Sequence, residues 1–261
     1  MITKRKRLFF DIETSFNIGF FWRSGWGQTI PPENIIHERK VICASYKWEY
    51  EDVVHTLVWD ENQDDKRLLK NFIKVLNKAD EIVAHNGDRF DIKWLRTRCL
   101  YHDLPMFPKY QSIDTLKQAK SLFNFNSNKL DYIAKFLNVG AKTEHEGIDL
   151  WKKVILENDQ DALNRMIHYC ENDVMILEKV FKKLNSYTKP TIHYGTLKGA
   201  DKYVCPECGN HHLHLSKTYT TSMGTLRRNM KCANKNCGKK FTISNKTYQD
   251  YRKSLRSIKT K

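Results

Sequence analysis

The segment Leu8-Phe9-Phe10-Asp11-Ile12-Glu13-Thr14 constrains this chain more than any other. An apolar run of strand-forming residues ends on two acids spaced two apart. Side chains alternate along an extended strand, so Asp11 and Glu13 share one face while Ile12 points into a core. Carboxylates held that close repel each other unless a cation sits between them, and a hard divalent ion with oxygen ligands relieves the repulsion. Paired acids on a solvated strand are also common, so this segment gains meaning only from the rest of the chain.

Residues 40–184 read as an α/β layer fold with a mixed sheet. β-branched and aromatic runs predict strands over residues 40–48 and 53–59, and a short buried strand over 81–85 closed by the turn Asn86-Gly87. Helical spacing covers residues 64–79, 91–101, 128–137 and, longest, 159–184. Asp91 opens the second of these helices, where a plain cap is the simplest account of an aspartate. On the last helix Tyr169 and Asp173 are four apart and share a face, beside the apolar stripe Met166, Cys170, Val174 and Leu177.

Three acidic segments in this order form a set. Phe10-Asp11-Ile12-Glu13-Thr14, then Asn86-x-x-x-Phe90-Asp91, then Tyr169-Cys170-Glu171-Asn172-Asp173-Val174 resemble the three motifs of the DEDD exonuclease superfamily. The second motif has the form found in proofreading domains of family-B DNA polymerases, and residues 127–134 are similar to that group as well. The resemblance covers residues 7–185. It implies an RNase H-like fold and 3′→5′ exonuclease activity. It also implies two Mg²⁺ or Mn²⁺ ions on Asp11, Glu13, Asp91 and Asp173, with Tyr169 orienting the attacking water. Asn86, Phe90 and Thr14 would hold the end of the strand. His168 is the competing candidate for the water, because the superfamily places either a Tyr four residues or a His five residues before the last Asp. An unbroken helix rotates the fifth residue by about 140° and favours Tyr169. No polymerase segment comes after it, which suggests a free-standing enzyme or a separate proofreading subunit.

The seven cysteines fall into two groups. Cys43, Cys99 and Cys170 lie in apolar sequence and read as buried thiols. Cys205-Pro206-Glu207-Cys208 and, after 23 residues, Cys232 and Cys237 form two close pairs. Four thiolates suit one tetrahedral structural Zn²⁺, and a module of this size has too little core to fold without it. It looks like a zinc ribbon; an iron–sulfur site and a disulfide are the alternatives. Residues 188–261 carry 16 Lys or Arg against three acids, a net +13 of the chain's +15. A near-neutral body with a basic appendage suits a polyanion, and nucleic acid is the usual one.

The expected organisation is therefore an exonuclease domain over 1–187, a linker over 188–201, a zinc ribbon over 202–246 and a basic tail over 247–261. No apolar run is long enough for a bilayer, and the one near the start ends at Asp11, too early for a signal peptide. The expectation is a cytoplasmic protein of a bacterium or a phage-infected cell. Its partners would be DNA before RNA, and a DNA polymerase or other replication protein. An RNA-trimming exoribonuclease and a non-catalytic nucleic-acid-binding scaffold are the other two readings. Trp22 and Trp26 have no assigned role.

Overall fold

The computed structural model describes residues 5–23, 25, 27, 29–143 and 146–259. Two units separate along the chain: residues 6–183, and residues 184–259 together with Arg5. Trp26 lies outside the described residues, and Trp22 is fully exposed.

The first unit is built on a five-stranded sheet. Strand β1 (Arg7–Thr14) leads, followed by a small hairpin of β2 (Ile18–Gly19) and β3 (Ile35–His37), then β4 (Val41–Trp48) and β5 (His55–Val58). Helix α1 (Lys66–Leu76), β6 (Glu81–Ala84), α2 (Asp91–Tyr101), β7 (Ser112–Asp114) and α3 (Thr115–Leu122) come next. Helices α4 (Leu130–Phe136), α5 (Ile148–Leu156) and α6 (Gln160–Asn185) complete it. The strand order is β5-β4-β1-β6-β7. β1 runs antiparallel to β4 and parallel to β6, so the sheet is mixed and β1 is its centre.

Both faces of β1 are covered, which is why its residues read as a continuous apolar run. Leu8, Phe10 and Ile12 pack beneath α1 and α2, against Phe72, Ile92 and Leu95. Phe9 meets Phe181 of α6 edge-on, with ring centroids 5.4 Å apart. On that face Ile42 and Cys43 pack with Met166 and Cys170. Arg7, at the buried start of the strand, is held by Glu81 and Glu49 at 2.7 and 2.9 Å. A second buried knot joins Asp65 to Arg98 through two hydrogen bonds of 2.8 and 2.9 Å and to the Val41 amide.

Strand 53–59 is shorter than its composition suggests, and β7, α3, α5 and the small hairpin were not read from the sequence. Among the described residues no helix is long and apolar enough to cross a membrane.

The second unit begins with a short helix α7 (Tyr194–Leu197) inside the segment read as a linker. Strands β8 (Leu213–Thr220), β9 (Leu226–Cys232) and β10 (Lys240–Ser244) form an antiparallel sheet, followed by helix α8 (Asn245–Lys259). Residues 247–259 of the segment read as a basic tail are thus helical. Tyr248, Tyr251 and Leu255 fall on one side of α8 and pack on Leu213, Met230 and Ile243. Spacings of three and four residues put them on one stripe, and dense cations around them obscure it.

Candidate active site

The acids converge where β1 leaves the core. The pairing of β1 with β4 shifts register there: Glu13 sits opposite Cys43 but Thr14 opposite Val41. A bulge of this kind twists a strand locally and re-aims its side chains. Carboxylate oxygens of Asp11 and Glu13 and the Cys170 sulfur all lie within 4.8 Å of one another. The Cys170 thiol points at the Asp11 carbonyl oxygen, 3.5 Å away. Asp91, the first residue of α2, is buried and accepts the Ile12 amide at 3.3 Å, which ties the second acidic segment to the first. Asp173 on α6 is buried too, and Tyr169, one turn away, shares the Lys142 ammonium with it.

The turn between β6 and α2 is built for this meeting. Asn86 takes a left-handed backbone (φ 68°) that Asn tolerates better than most residues, and its amide donates to Asp114 at 2.9 Å. A Cβ on Gly87 would stand 2.5 Å from the Ala84 Cβ, so only glycine fits. The Phe90 amide returns to the Asn86 carbonyl at 3.0 Å, delivering Asp91 to the helix start.

Electrostatics sets the site apart from the rest of the unit. Burial pushes the Asp11 carboxyl well above its usual range, with Asp91 and Asp173 adding to it. Glu13 is raised by burial and then by Asp11. Burial pushes Asp91 up to about 7 and raises Asp173, the latter against the pull of Lys142. Tyr169 is pushed up to about 12 by burial, then by Asp173. One oxygen of Asp173, Oδ1, is buried and has no hydrogen-bond partner among the described residues. Buried polar atoms left bare are costly, and a cation would satisfy this one. Crowded carboxylates with raised pKa values and a bare oxygen are a donor set suited to hard divalent ions.

Sequence reasoning missed Lys142. Its ammonium pairs with Asp173 and donates to the Tyr169 hydroxyl at 2.8 Å. Burial alone would lower its pKa, but Asp173 overrides that and raises it. The residue lies in the stretch between α4 and α5, where no periodicity flags it. In the metal-free protein Lys142 is the cation that offsets part of the acidic cluster. Lys142→Met should therefore lower the stability of the metal-free protein by about 3 kcal/mol, the cost of stripping one partner from a buried pair. Saturating Mg²⁺ should recover most of that loss. Thermal melts with and without Mg²⁺ check this; an equal loss in both conditions would contradict it.

Two hollows flank the acids. One, of about 420 Å³, is lined by Glu13, Thr14, Phe16, Phe90, Ile148 and Trp151. Trp151 donates its indole N–H to the Thr14 carbonyl at 3.0 Å; it was not singled out in the sequence. The other, of about 620 Å³, is lined by Asp11, Asn86, Lys120, Lys129, Lys142 and Asp173. Phe90 and Thr14 thus face one hollow and Asn86 the other. His168 is exposed and turned to Glu171 at 3.6 Å, away from the acids.

In the second unit the four cysteines meet. The Cys205 and Cys237 sulfurs are 3.8 Å apart, and those of Cys208 and Cys232 are 3.6 Å apart. Four sulfurs at about 2.3 Å from one tetrahedral ion stand about 3.8 Å from each other, whereas a disulfide needs about 2.05 Å. The neighbouring Cys205 and Cys237 thiols hold Cys208 below its ordinary value. The Asn210 side-chain amide reaches the Cys232 sulfur at 3.6 Å. The set fits one Zn²⁺.

Residues 37–185 match the RNase H superfamily, and this chain belongs to it. The mixed five-stranded sheet flanked by helices is RNase H-like. The family B DNA polymerase of the hyperthermophilic archaeon Pyrobaculum calidifontis is similar in structure, with a TM-score of 0.55 and 15% identity. The match covers 84% of this chain and 31% of the polymerase, so the chain spans under a third of that protein's length. No curated protein matches the sequence. Fold and family together define a nuclease-like domain.

Proposed function

We propose that this chain is a 3′→5′ exonuclease of the tyrosine-class DEDD type that hydrolyses phosphodiester bonds at single-stranded DNA 3′ ends and releases nucleoside 5′-monophosphates. The observation that carries the reading is the cluster of Asp11, Glu13, Asp91 and Asp173, carboxyls all raised by burial, in which one buried Asp173 oxygen has no hydrogen-bond partner among the described residues and Tyr169 shares the Lys142 ammonium with Asp173. Two Mg²⁺ or Mn²⁺ ions, when bound by these carboxylates, supply charge neutralisation at the phosphate and a more acidic attacking water.

The chain's own residues do the rest. The four carboxylates hold the cations and, once these are bound, stay ionised despite burial. Tyr169 keeps its proton at neutral pH, because its hydroxyl is pushed up to about 12. It therefore acts as a hydrogen-bonding group that orients water and not as a base. Lys142 donates to that hydroxyl and fixes its direction. Phe90, Thr14 and Trp151 line a hollow beside Glu13 of a size to hold a terminal nucleoside against aromatic surface. A four-cysteine zinc ribbon in the second unit supplies the positive charge that the acidic centre lacks.

The test uses one 5′-labelled sequence as DNA and as RNA, with Mg²⁺ or Mn²⁺. A ladder that shortens from the 3′ end of DNA is expected. Absence of metal-dependent degradation of either polymer would sink the proposal, and a ladder on RNA alone would move it to an exoribonuclease. Tyr169→Phe should cut turnover by roughly 10²-fold, the scale of one positioned hydrogen-bond donor. His168→Ala should leave it within about twofold. The reverse order would make the histidine the functional residue.

A further inference from the structure

The second unit carries a surface that neither the carboxylates nor the metal-ligating cysteines use. We propose that the open face of the β8–β10 sheet is a docking surface for single-stranded DNA, gripped through its phosphates and stacked on tyrosine. The choice of polymer rests on the nuclease reading above; the surface itself is argued from register and charge.

Strand pairing fixes which side chains share that face. Tyr219 pairs with Arg227, Lys217 with Asn229, and Lys231 with Lys240. Alternation along β9 then puts Arg227, Asn229 and Lys231 on one side. The Thr242 hydroxyl donates to the Asn229 amide oxygen at 2.8 Å across the strands, which places β10 in the same row. The opposite side is occupied. Met230 and Ile243 lie under α8 there, and Arg228 stacks on Tyr248 with its guanidinium carbon 5.0 Å from the ring centroid. An antiparallel sheet covered on one side keeps its other side in water, and here that side carries Lys217, Arg227, Lys231 and Lys240.

The three strands contain no acidic residue. A groove of about 1030 Å³ runs along the face, with Tyr187, Lys189 and Lys202 on its flank. No Asp or Glu lines it. A concave strip of one sign attracts a polyanion over distance and holds it by counterion release. Charge alone would also suit an acidic protein segment. The tyrosines favour nucleic acid, because Tyr187 and Tyr219 are exposed and line the same groove as Lys189, Arg227 and Lys240. Stacking of a base on such a ring contributes about 1–3 kcal/mol whatever the base. Only an unpaired strand has base faces to give.

The experiment uses the full chain carrying Asp11→Ala, so that no substrate is consumed. A labelled oligothymidylate of about 20 nucleotides, longer than the site sizes usual for single-strand binders, is titrated by fluorescence anisotropy over a range of salt. The triple variant Lys217→Glu/Arg227→Glu/Lys240→Glu is compared with Lys246→Glu/Arg252→Glu/Lys253→Glu on α8, which changes net charge equally. The face variant should raise Kd by about tenfold or more. It should also take roughly 2 off the slope of log K against log salt, at about 0.7 for each phosphate no longer neutralised. The α8 variant should shift Kd by less than about threefold. Equal weakening by both variants, weakening by neither, or a loss confined to RNA of the same sequence overturns the proposal.

Should the face variant fail to fold, cross-linking of the Asp11→Ala chain to bromodeoxyuridine-substituted DNA decides instead. Adducts within residues 214–244 support the face; adducts only in residues 245–261 or 6–183 overturn it. Binding through this face without metal-dependent trimming would sink the exonuclease reading and leave the docking surface standing, so the two failures are distinguishable.

Discussion

Asp11→Asn should abolish metal-dependent trimming while making the metal-free protein more stable. The activity loss follows from the charge the cations must find. Metal stabilisation of phosphoryl transfer contributes several kcal/mol, and each 1.36 kcal/mol is tenfold in rate, so losing one ligand should cost about 10³-fold or more. The stability gain follows from the same crowding. Asp11 is raised by burial first and then by Asp91 and Asp173, so its ionised form is disfavoured in the folded metal-free state. An amide of the same shape removes that penalty. Sites that store unfavourable charge for function gain stability when the function is removed.

The pH dependence has a definite sign. The folded pKa of Asp91 is about 7 against an ordinary 3.8. The folded state then holds a proton that the unfolded state gives up. Its contribution is fully present below 3.8 and is lost as pH rises through about 7. The full gap corresponds to about 4 kcal/mol. Metal-free protein should therefore melt lower at pH 8 than at pH 5, Mg²⁺ or Mn²⁺ should reverse the trend, and Asp91→Asn should make it shallower. Urea or thermal midpoints at the two pH values, with and without metal, measure all three. A metal-free protein equally stable at both pH values would contradict the crowded-carboxylate picture.

How much of this was readable before the fold was known depends on periodicity. Asp11 and Glu13 were legible because a strand alternates, and Tyr169 with Asp173 because a helix returns every fourth residue. Their meeting followed from the family resemblance and not from periodicity, since it needs β1 at the centre of the sheet and α6 laid across one face. Lys142 and Trp151 escaped for a related reason. Lys142 is one of 45 Lys and Arg in the chain and lies between helices. Trp151 sits on a nine-residue helix too short for its pattern to stand out. Asn86 and Phe90 were read as one motif, yet they line different hollows, because the turn between them reverses direction. The basic module shows the opposite case. Its charge was plain, but the clustering of Lys217, Arg227, Lys231 and Lys240 on one face needs a register that depends on the bulge between Leu215 and Lys217.

Removing the metal from the cysteine cluster should unfold residues 184–259 and leave the chemistry in place. The core of that unit is small: one cluster joins the buried Cys205, Leu213, Met230, Cys232, Ile243 and Tyr251, and two of these six belong to the four-cysteine set proposed to hold the metal. Such a core is too small to hold the unit on its own, and a structural Zn²⁺ contributes about 10–16 kcal/mol of folding free energy. Cys232→Ser should therefore lose the bound zinc, the far-UV signal of the second sheet and the protection of residues 213–244 from hydrogen exchange. Affinity for a long oligonucleotide should fall by about tenfold or more, because at least four lysines and arginines lose their common face. Hydrolysis of a trinucleotide, which is too short to need that face, should stay within about threefold, since Asp11, Glu13, Asp91 and Asp173 belong to the first unit. Metal analysis of the purified protein decides the ion: one equivalent of zinc is expected, and stoichiometric iron with visible absorbance would replace zinc by an iron–thiolate centre. A second unit that keeps its exchange protection and its oligonucleotide affinity after complete zinc removal would show that its core, and not the metal, holds it together.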